Sequence, residues 1–124
     1  MAPESQKKHW LFLTTKSSWT SSNAAACMDM VMTAAIFDQK VKLVFCNDGV
    51  YQLLAGQDGS ACGMKTLAQQ IPAMDLYGVE QIYVEQSALL QRGLQERDLI
   101  QAVALLPYGQ MQSMIAESLA VFVF

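Results

Sequence analysis

The sequence contains few charged residues for its size. Asp, Glu, Lys and Arg make up 15% of the 124 residues, against about 25% in an average soluble domain. Hydrophobic residues account for 52%, and a chain of this length forms one domain with a large surface for its volume. We therefore predict a single domain over residues 1–124 whose surface is partly buried against partner proteins. A weakly charged monomer is the alternative interpretation.

Basic residues are scarcer still. Eight Lys and Arg stand against eleven Asp and Glu, which gives a net charge of −3, and the longest basic cluster is Lys7-Lys8. This balance argues against nucleic acid or an anionic membrane as a direct partner. The apolar run Trp10–Leu13 is too short for the core of a signal peptide or for a membrane span. We expect a cytoplasmic protein.

Metal ligands and recognisable catalytic motifs are also missing. His9 is the only histidine, and the three cysteines form no C-x-x-C pair, so the sequence predicts neither a metal site nor a disulfide framework. It has no dinucleotide fingerprint, Walker sequence or serine-nucleophile motif. The loop 14–20 contains no glycine and no acidic cluster. Its hydroxyl groups leave open a phosphate or small-molecule site of the flavodoxin type. No cofactor is implied.

What the sequence does have is a regular alternation of apolar segments with helical ones. This alternation predicts an α/β fold in which helices cover both faces of a parallel sheet, with right-handed crossovers. The strands are predicted at His9–Thr15, Val41–Cys46, Gln81–Glu85, Ile100–Leu105 and Ala120–Phe124. Helices are predicted from a cap at Ser21, Ser22 or Asn23 to near Phe37, at Met64–Ile71 before Pro72, at Ser87–Arg92 with Gly93 as its C-cap, and at Gln110–Ser118. A turn at Asn47–Gly49 is followed by one helical turn at Tyr51–Leu54.

Two cysteines are candidate thiols for chemistry. Ligands of open parallel sheets bind at the carboxyl ends of the strands, and Cys46 ends the second strand. Its apolar surroundings also fit an inert core cysteine. Cys62 lies in the glycine-rich connector 56–63 near Lys65, a cation that favours a thiolate. Cys27, in the first helix, is interpreted as a core residue.

Several segments together resemble a known family. Residues 45–57 (FCNDGVYQLLAGQ) closely resemble the F-x-x-D-G-V-[FY]-Q-L-L-x-G-Q stretch of the TusC/DsrF subunits in the DsrE-like sulfur-relay family. Residues 76–84 (LYGVEQIYV) and 87–94 (SALLQRGL) resemble two later motifs of the same subunits, in the same order and spacing. The terminal VFVF matches their habit of ending in a strand.

The resemblance implies a fold and an assembly. The fold is a three-layer α/β/α domain with a five-stranded, mostly parallel sheet (DsrE/F-like). The assembly is a heterohexamer with two copies each of TusB-like, TusC-like and TusD-like subunits, supplied by sulfur-carrier proteins. Tus complexes pass persulfide sulfur toward 2-thiouridine at the tRNA wobble position, whereas the related Dsr complexes serve sulfur oxidation.

The resemblance also implies that this subunit does not react with sulfur. In TusD and DsrE the persulfide-bearing cysteine lies eight residues before the glycine of an Arg-Gly pair. Counting back from Gly93 gives Glu85, and a carboxylate cannot accept sulfane sulfur. We therefore predict a non-catalytic subunit, the alternatives being a DsrF-like subunit or a thiol carrier using Cys46 or Cys62. The motif positions would serve as partner contacts or loop scaffolding: Asp48, Gly49, Tyr51, Gln52, Leu53, Leu54, Gln57, Tyr77 and Glu85.

Overall fold

The computed structural model describes residues 9–17, 22–54, 74, 78–79, 81–99, 103–107 and 109–124. They contain a five-stranded sheet in which every neighbouring pair is parallel, in the order β4-β3-β2-β1-β5. The strands are β1 (Trp10–Thr14), β2 (Val41–Phe45), β3 (Gln81–Glu85), β4 (Ala104–Leu106) and β5 (Ala120–Val123). The predicted α/β class and the five-stranded parallel sheet are confirmed.

Three α-helices connect these strands among the described residues. They are α1 (Asn23–Ile36), α2 (Gln86–Gln91) and α3 (Gln110–Glu117). Two 3₁₀ helices, Asn47–Leu53 and Glu96–Asp98, follow β2 and α2. The helix predicted at Met64–Ile71 lies outside the described residues. None of the described helices is long and apolar enough to cross a membrane.

Alternate residues of the strands build a core on each face of the sheet. On the first face, Phe12, Leu43 and Phe45 pack with α1 and α2. On the second face, Leu11 and Val44 pack with the methionines of α3. Helices therefore flank the sheet on both sides, as the three-layer architecture requires.

The strands β3 and β5 are less buried than β1 and β2. β1 and β2 are apolar and buried on both faces, but β3 buries only Ile82 and Val84, and β5 leaves Val121 and Val123 exposed. On the second face, α3 has only eight residues, and the cluster around its methionines includes Tyr83 of β3 but neither Val121 nor Val123. Helices flank both faces as predicted, but the cover of the second face is incomplete at β5.

Some local predictions also needed correction. Ser22 occupies the N-cap position of α1 but makes no side-chain capping bond, because its backbone is helical (φ −75°, ψ −6°) instead of extended. The turn and the helical turn predicted after β2 form one continuous 3₁₀ helix. Gly93 closes α2 as expected. Its φ of +67° lets the amides of Gly93 and Leu94 bond back to Leu90 and Leu89, which is a Schellman motif.

Candidate functional site at the carboxyl edge of the sheet

The loops that leave β1, β2 and β3 meet at one edge of the sheet. Thr14 is paired with Phe45, and Phe45 with Val84. One residue further along, this register places Cys46 beside Glu85. The backbone amide of Cys46 donates to the carbonyl oxygen of Thr14 at 3.1 Å. Glu85, which occupies the position of the acceptor cysteine in sulfur-accepting relatives, therefore lies beside the candidate thiol Cys46.

Cys46 is a buried thiol in this arrangement. Its side chain is 4% exposed, and Sγ lies 3.7 Å from the carbonyl oxygen of Thr14. Burial, and secondarily the negative charge of Glu85, raise the pKa of Cys46 to about 12. A thiol with such a pKa is almost entirely protonated at neutral pH, and the protonated form is a poor nucleophile. The interpretation of Cys46 as a core cysteine fits these observations.

Cys27 is equally unsuited to chemistry. It is 1% exposed within the core between α1 and the sheet. Burial raises the pKa of Cys27 to about 12, only partly offset by a hydrogen bond from the Thr14 side chain. The other candidate thiol, Cys62, lies outside the described residues, as do the motif positions Gln57 and Tyr77.

Glu85 ends β3 directly before α2. It is half-buried and occupies the N-cap position of α2, where its side chain makes no capping hydrogen bond. A carboxylate therefore stands at the strand end where the resemblance implies a cysteine in sulfur-accepting relatives. Its charge disfavours a thiolate at Cys46, and the same charge would repel an anionic persulfide.

Two of the sequence motifs are joined by an ion pair. Arg92 of the SALLQRGL segment donates from Nη2 and Nε to Oδ1 of Asp48 at 2.8 and 3.2 Å. Its Nη1 donates to the carbonyl oxygen of Ala88, and its guanidinium lies 5.9 Å from the centre of the Tyr51 ring. The Asp48 side chain is 61% exposed and that of Arg92 only 18%. The pair therefore fastens the 3₁₀ helix to α2 while showing a carboxylate to solvent.

Gly49 allows the 3₁₀ helix to approach the first loop closely. A Cβ atom at this position would collide with the carbonyl oxygen of Thr14, which is backbone and cannot rotate away. The residue with positive φ in this turn is Asn47, at 50°. The positive φ of the predicted turn is thus at Asn47, whereas Gly49 is required for lack of space.

Gln52 is a buried residue that hydrogen-bonds to the first loop, which follows β1. It is fully buried, and its Nε2 donates to Oγ1 of Thr14 at 2.7 Å and to the carbonyl oxygen of Lys16 at 2.8 Å. Its Oε1 is buried without a partner. Leu53 is likewise buried in the core, and Leu54 forms a bridge to Leu99. Gln52 and Leu53 are thus buried inside the domain, whereas Leu54 is half-buried.

Sequence reasoning missed two residues of this site. Thr14 is 1% exposed and accepts from Gln52 and Cys46. Arg92 was part of a quoted motif, but nothing in the sequence indicated that it pairs with Asp48, which is 44 positions away. Among the residues that the structure describes, no group of His, Cys, Asp and Glu could hold a metal ion.

A polar cleft of about 320 Å³ lies at the amino-terminal ends of the strands and is lined in part by His9, Lys40 and Gln81. The Nε2 atoms of His9 and Gln81 lie 3.1 Å apart. The amide nitrogen can only donate, so this hydrogen bond requires an unprotonated ring nitrogen on His9. Burial, followed by the charges of Lys42 and Lys40, lowers the pKa of His9. Gly78 and Gln81 of the LYGVEQIYV segment line this cleft.

Comparisons with known proteins identify relatives of this chain. The profile of the DsrE/DsrF-like family matches residues 8–124. A protein of Vibrio vulnificus strain CMCP6 named Protein TusC homolog is 36% identical over 109 residues, or 88% of this chain and 91% of that protein. The intracellular sulfur oxidation protein DsrF of Allochromatium vinosum is 36% identical over 94 residues, or 76% of this chain and 69% of that protein.

A solved structure shares the fold. The crystal structure of the ychN protein from E. coli superposes with a TM-score of 0.82 and covers 95% of this chain and 100% of that one. Its 13% identity makes this a likeness of fold alone. Together with the family profile and the relatives at 36% identity, the comparisons show that this chain belongs to the DsrE/DsrF-like family.

Proposed function

We propose that this chain is a non-catalytic subunit of a sulfur-relay complex that passes persulfide sulfur for 2-thiolation of the tRNA wobble uridine. The observation that supports it most directly is Glu85 at the end of β3, beside a Cys46 thiol whose pKa is raised to about 12. The relative named Protein TusC homolog, which covers most of the chain, supports the choice of pathway.

The chemistry of sulfur transfer explains why this site does not accept sulfur. A persulfide moves when an acceptor thiolate attacks the outer sulfur atom and the donor leaves as a thiolate. The acceptor must be ionised and accessible. Cys46 is neither, because it is 4% exposed and lies beside a carboxylate. The subunit would instead shape and stabilise the complex around a partner's acceptor cysteine.

The exposed surface supports a role in assembly. Eight large apolar side chains among the described residues are exposed, on a chain that is poor in charge, and such surfaces commonly mark protein contacts. The partners would be TusB-like and TusD-like subunits in a heterohexamer in the cytoplasm, without a cofactor and without direct contact to nucleic acid. The exposed residues are Met30, Ile36, Phe37, Leu90, Ile115, Leu119, Val121 and Val123.

A DsrF-like role in sulfur oxidation is the second candidate. It is supported by the 36% identity to the DsrF protein of Allochromatium vinosum. A thiol carrier is less well supported, because burial argues against Cys46. That role would fall to Cys62.

Gene replacement in the source organism tests the proposal. Deleting the gene should abolish 2-thiouridine at the tRNA wobble position, and a chain with Cys46→Ser and Cys62→Ser should restore it fully. Failure of this variant, while it still co-purifies with its partners, would instead indicate a thiol carrier. A deletion that leaves tRNA thiolation intact but stops sulfur oxidation would favour the DsrF-like role.

A further inference from the structure

Strand β5 leaves one edge of the sheet unpaired among the described residues. The Phe124 amide donates to the Leu13 carbonyl at 2.8 Å, and the Phe124 carbonyl accepts from the Thr15 amide at 2.7 Å. In a parallel ladder, alternate residues face the same neighbour, so Phe122 also faces β1. The backbone groups of Val121 and Val123 therefore point away from β1, and no described residue pairs with them.

The two edges of the sheet differ in how they are protected. Edge strands usually avoid pairing with other chains by being short or by containing Pro or charged residues. β4 has three residues and is followed by Pro107. By contrast, the segment Ser118–Phe124 contains no charged residue, no Pro and no Gly. β5 thus lacks the features that would prevent pairing with another strand.

The side chains along β5 also lack a cover on the second face. Val121 and Val123 are 37% and 65% exposed. Leu119 and Ile115, which precede them in the sequence, have side chains that are 66% and 39% exposed. On the first face, by contrast, Phe122 stacks on Phe12 with ring centres 4.9 Å apart. The exposed apolar strip is therefore confined to the second face and the outer edge.

We propose that β5 pairs antiparallel with β5 of a second copy of this chain, about a two-fold axis through Phe122. Val121 then lies opposite Val123 of the second copy, and each such pair exchanges two backbone hydrogen bonds. Residues directly opposite share a face, so the four valines form one apolar cluster on the second face. A register centred on Val121 would need the Leu119 amide, which already donates to the His9 carbonyl at 2.9 Å.

Symmetry and charge favour a second copy of this chain as the partner of β5. A two-fold interface must be self-complementary, and the alternation of β5 meets this condition for both backbone and side chains. Self-pairing brings no like-charged side chains together, because no side chain of Ser118–Phe124 is charged. The contact is small, so the dimer should be weak and depend on concentration. The inference uses only the strand edge and does not depend on the proposed sulfur-relay function.

Light scattering of the purified full-length chain over roughly a hundredfold range of concentration tests the pairing. The wild type should shift from monomer to dimer, and Val123→Lys should remain monomeric with an unchanged circular dichroism spectrum. The matched control is Leu90→Lys on α2, where the side chain is 71% exposed; it should dimerise like the wild type. A monomeric wild type, a dimeric Val123→Lys, or equal loss in both variants would overturn the proposal.

Disulfide trapping tests the register in a Cys62→Ser background. Opposed residues in the proposed pairing have Cα atoms about 5.5 Å apart, within disulfide range. Two copies of Val121 would be separated by about 8 Å, which is out of range. Mixing Val121→Cys chains with Val123→Cys chains should therefore give mainly mixed dimers on oxidation. Predominantly like-with-like dimers, or no disulfide while light scattering reports a dimer, would contradict this register.

Discussion

Gly49 illustrates how a single residue in the motif acts through space rather than through its own torsion angles. A methyl group there meets the Thr14 backbone, so we expect Gly49→Ala to lower the free energy of unfolding by about 3 kcal/mol, at the upper end of overpacking costs. Urea denaturation monitored by circular dichroism measures this loss.

The control for Gly49→Ala is Gly93→Ala. Gly93 has a φ of +67° but open space around its Cβ position, so only backbone strain of about 1 kcal/mol is expected. Equal losses in the two variants would show that close approach to Thr14 is not what requires Gly49.

The stability of the folded chain depends on pH through His9. Its pKa in the folded chain lies below the ordinary value of 6.5, because burial and then Lys42 and Lys40 disfavour the imidazolium. Between the folded-state pKa and pH 6.5, the unfolded chain therefore binds more protons than the folded chain. The stabilisation from neutral His9 is complete above pH 6.5 and is lost as the pH falls through the folded-state pKa.

His9→Gln removes this titration, so the variant should lose less stability than the wild type between neutral and mildly acidic pH. Thermal unfolding at a series of pH values measures the difference. Identical slopes for the two proteins would contradict the account of His9.

At the scale of elements, the 3₁₀ helix Asn47–Leu53 links the loop after β1 to α2. It contacts the first loop through Gly49 and Gln52, and α2 through Asp48. The sequence motif DGVYQLL thus encodes a connector between neighbouring parts of the fold. This explains why it is distinctive without containing a nucleophile.

The Asp48–Arg92 pair should contribute only modestly to stability. Because Asp48 is largely exposed, a double-mutant cycle with Asp48→Ala and Arg92→Ala should give a coupling energy below about 1 kcal/mol that weakens with salt. Arg92→Ala alone should cost more than Asp48→Ala, since Arg92 also contacts Ala88 and Tyr51. A salt-independent coupling above about 2 kcal/mol would contradict this account.

Elements with strong local signals were predictable from sequence. The bounds of β1 and β2 were predicted to within one residue, and β3 was predicted as Gln81–Glu85, because compact apolar runs end at polar or turn residues. The pairing of Asp48 with Arg92 and the buried position of Gln52 were not predictable, since both depend on long-range contacts. The exposure of β5 depends on the length of α3, which no feature of β5 itself reveals.

At the scale of the whole molecule, a sheet with a buried core on each face is combined with eight exposed large apolar side chains among the described residues. Both cysteines that the structure describes, Cys27 and Cys46, are buried, and its carboxyl edge presents the carboxylates of Asp48 and Glu85. Such a molecule suits a role in which partners provide the reactive groups. The shortage of charge in the sequence led us to expect a surface covered by partners, which stays a prediction; the structure locates exposed apolar side chains on or next to α1, α2, α3 and β5.

The central claim, that this chain takes part in sulfur transfer without carrying sulfur, can be measured directly. The complex assembled with TusB-like and TusD-like subunits is incubated with a persulfide donor, and the intact mass of every subunit is recorded. We predict a gain of one sulfur atom on the TusD-like subunit and none on this chain. A sulfur gain on this chain that disappears with Cys46→Ser or Cys62→Ser would contradict the account.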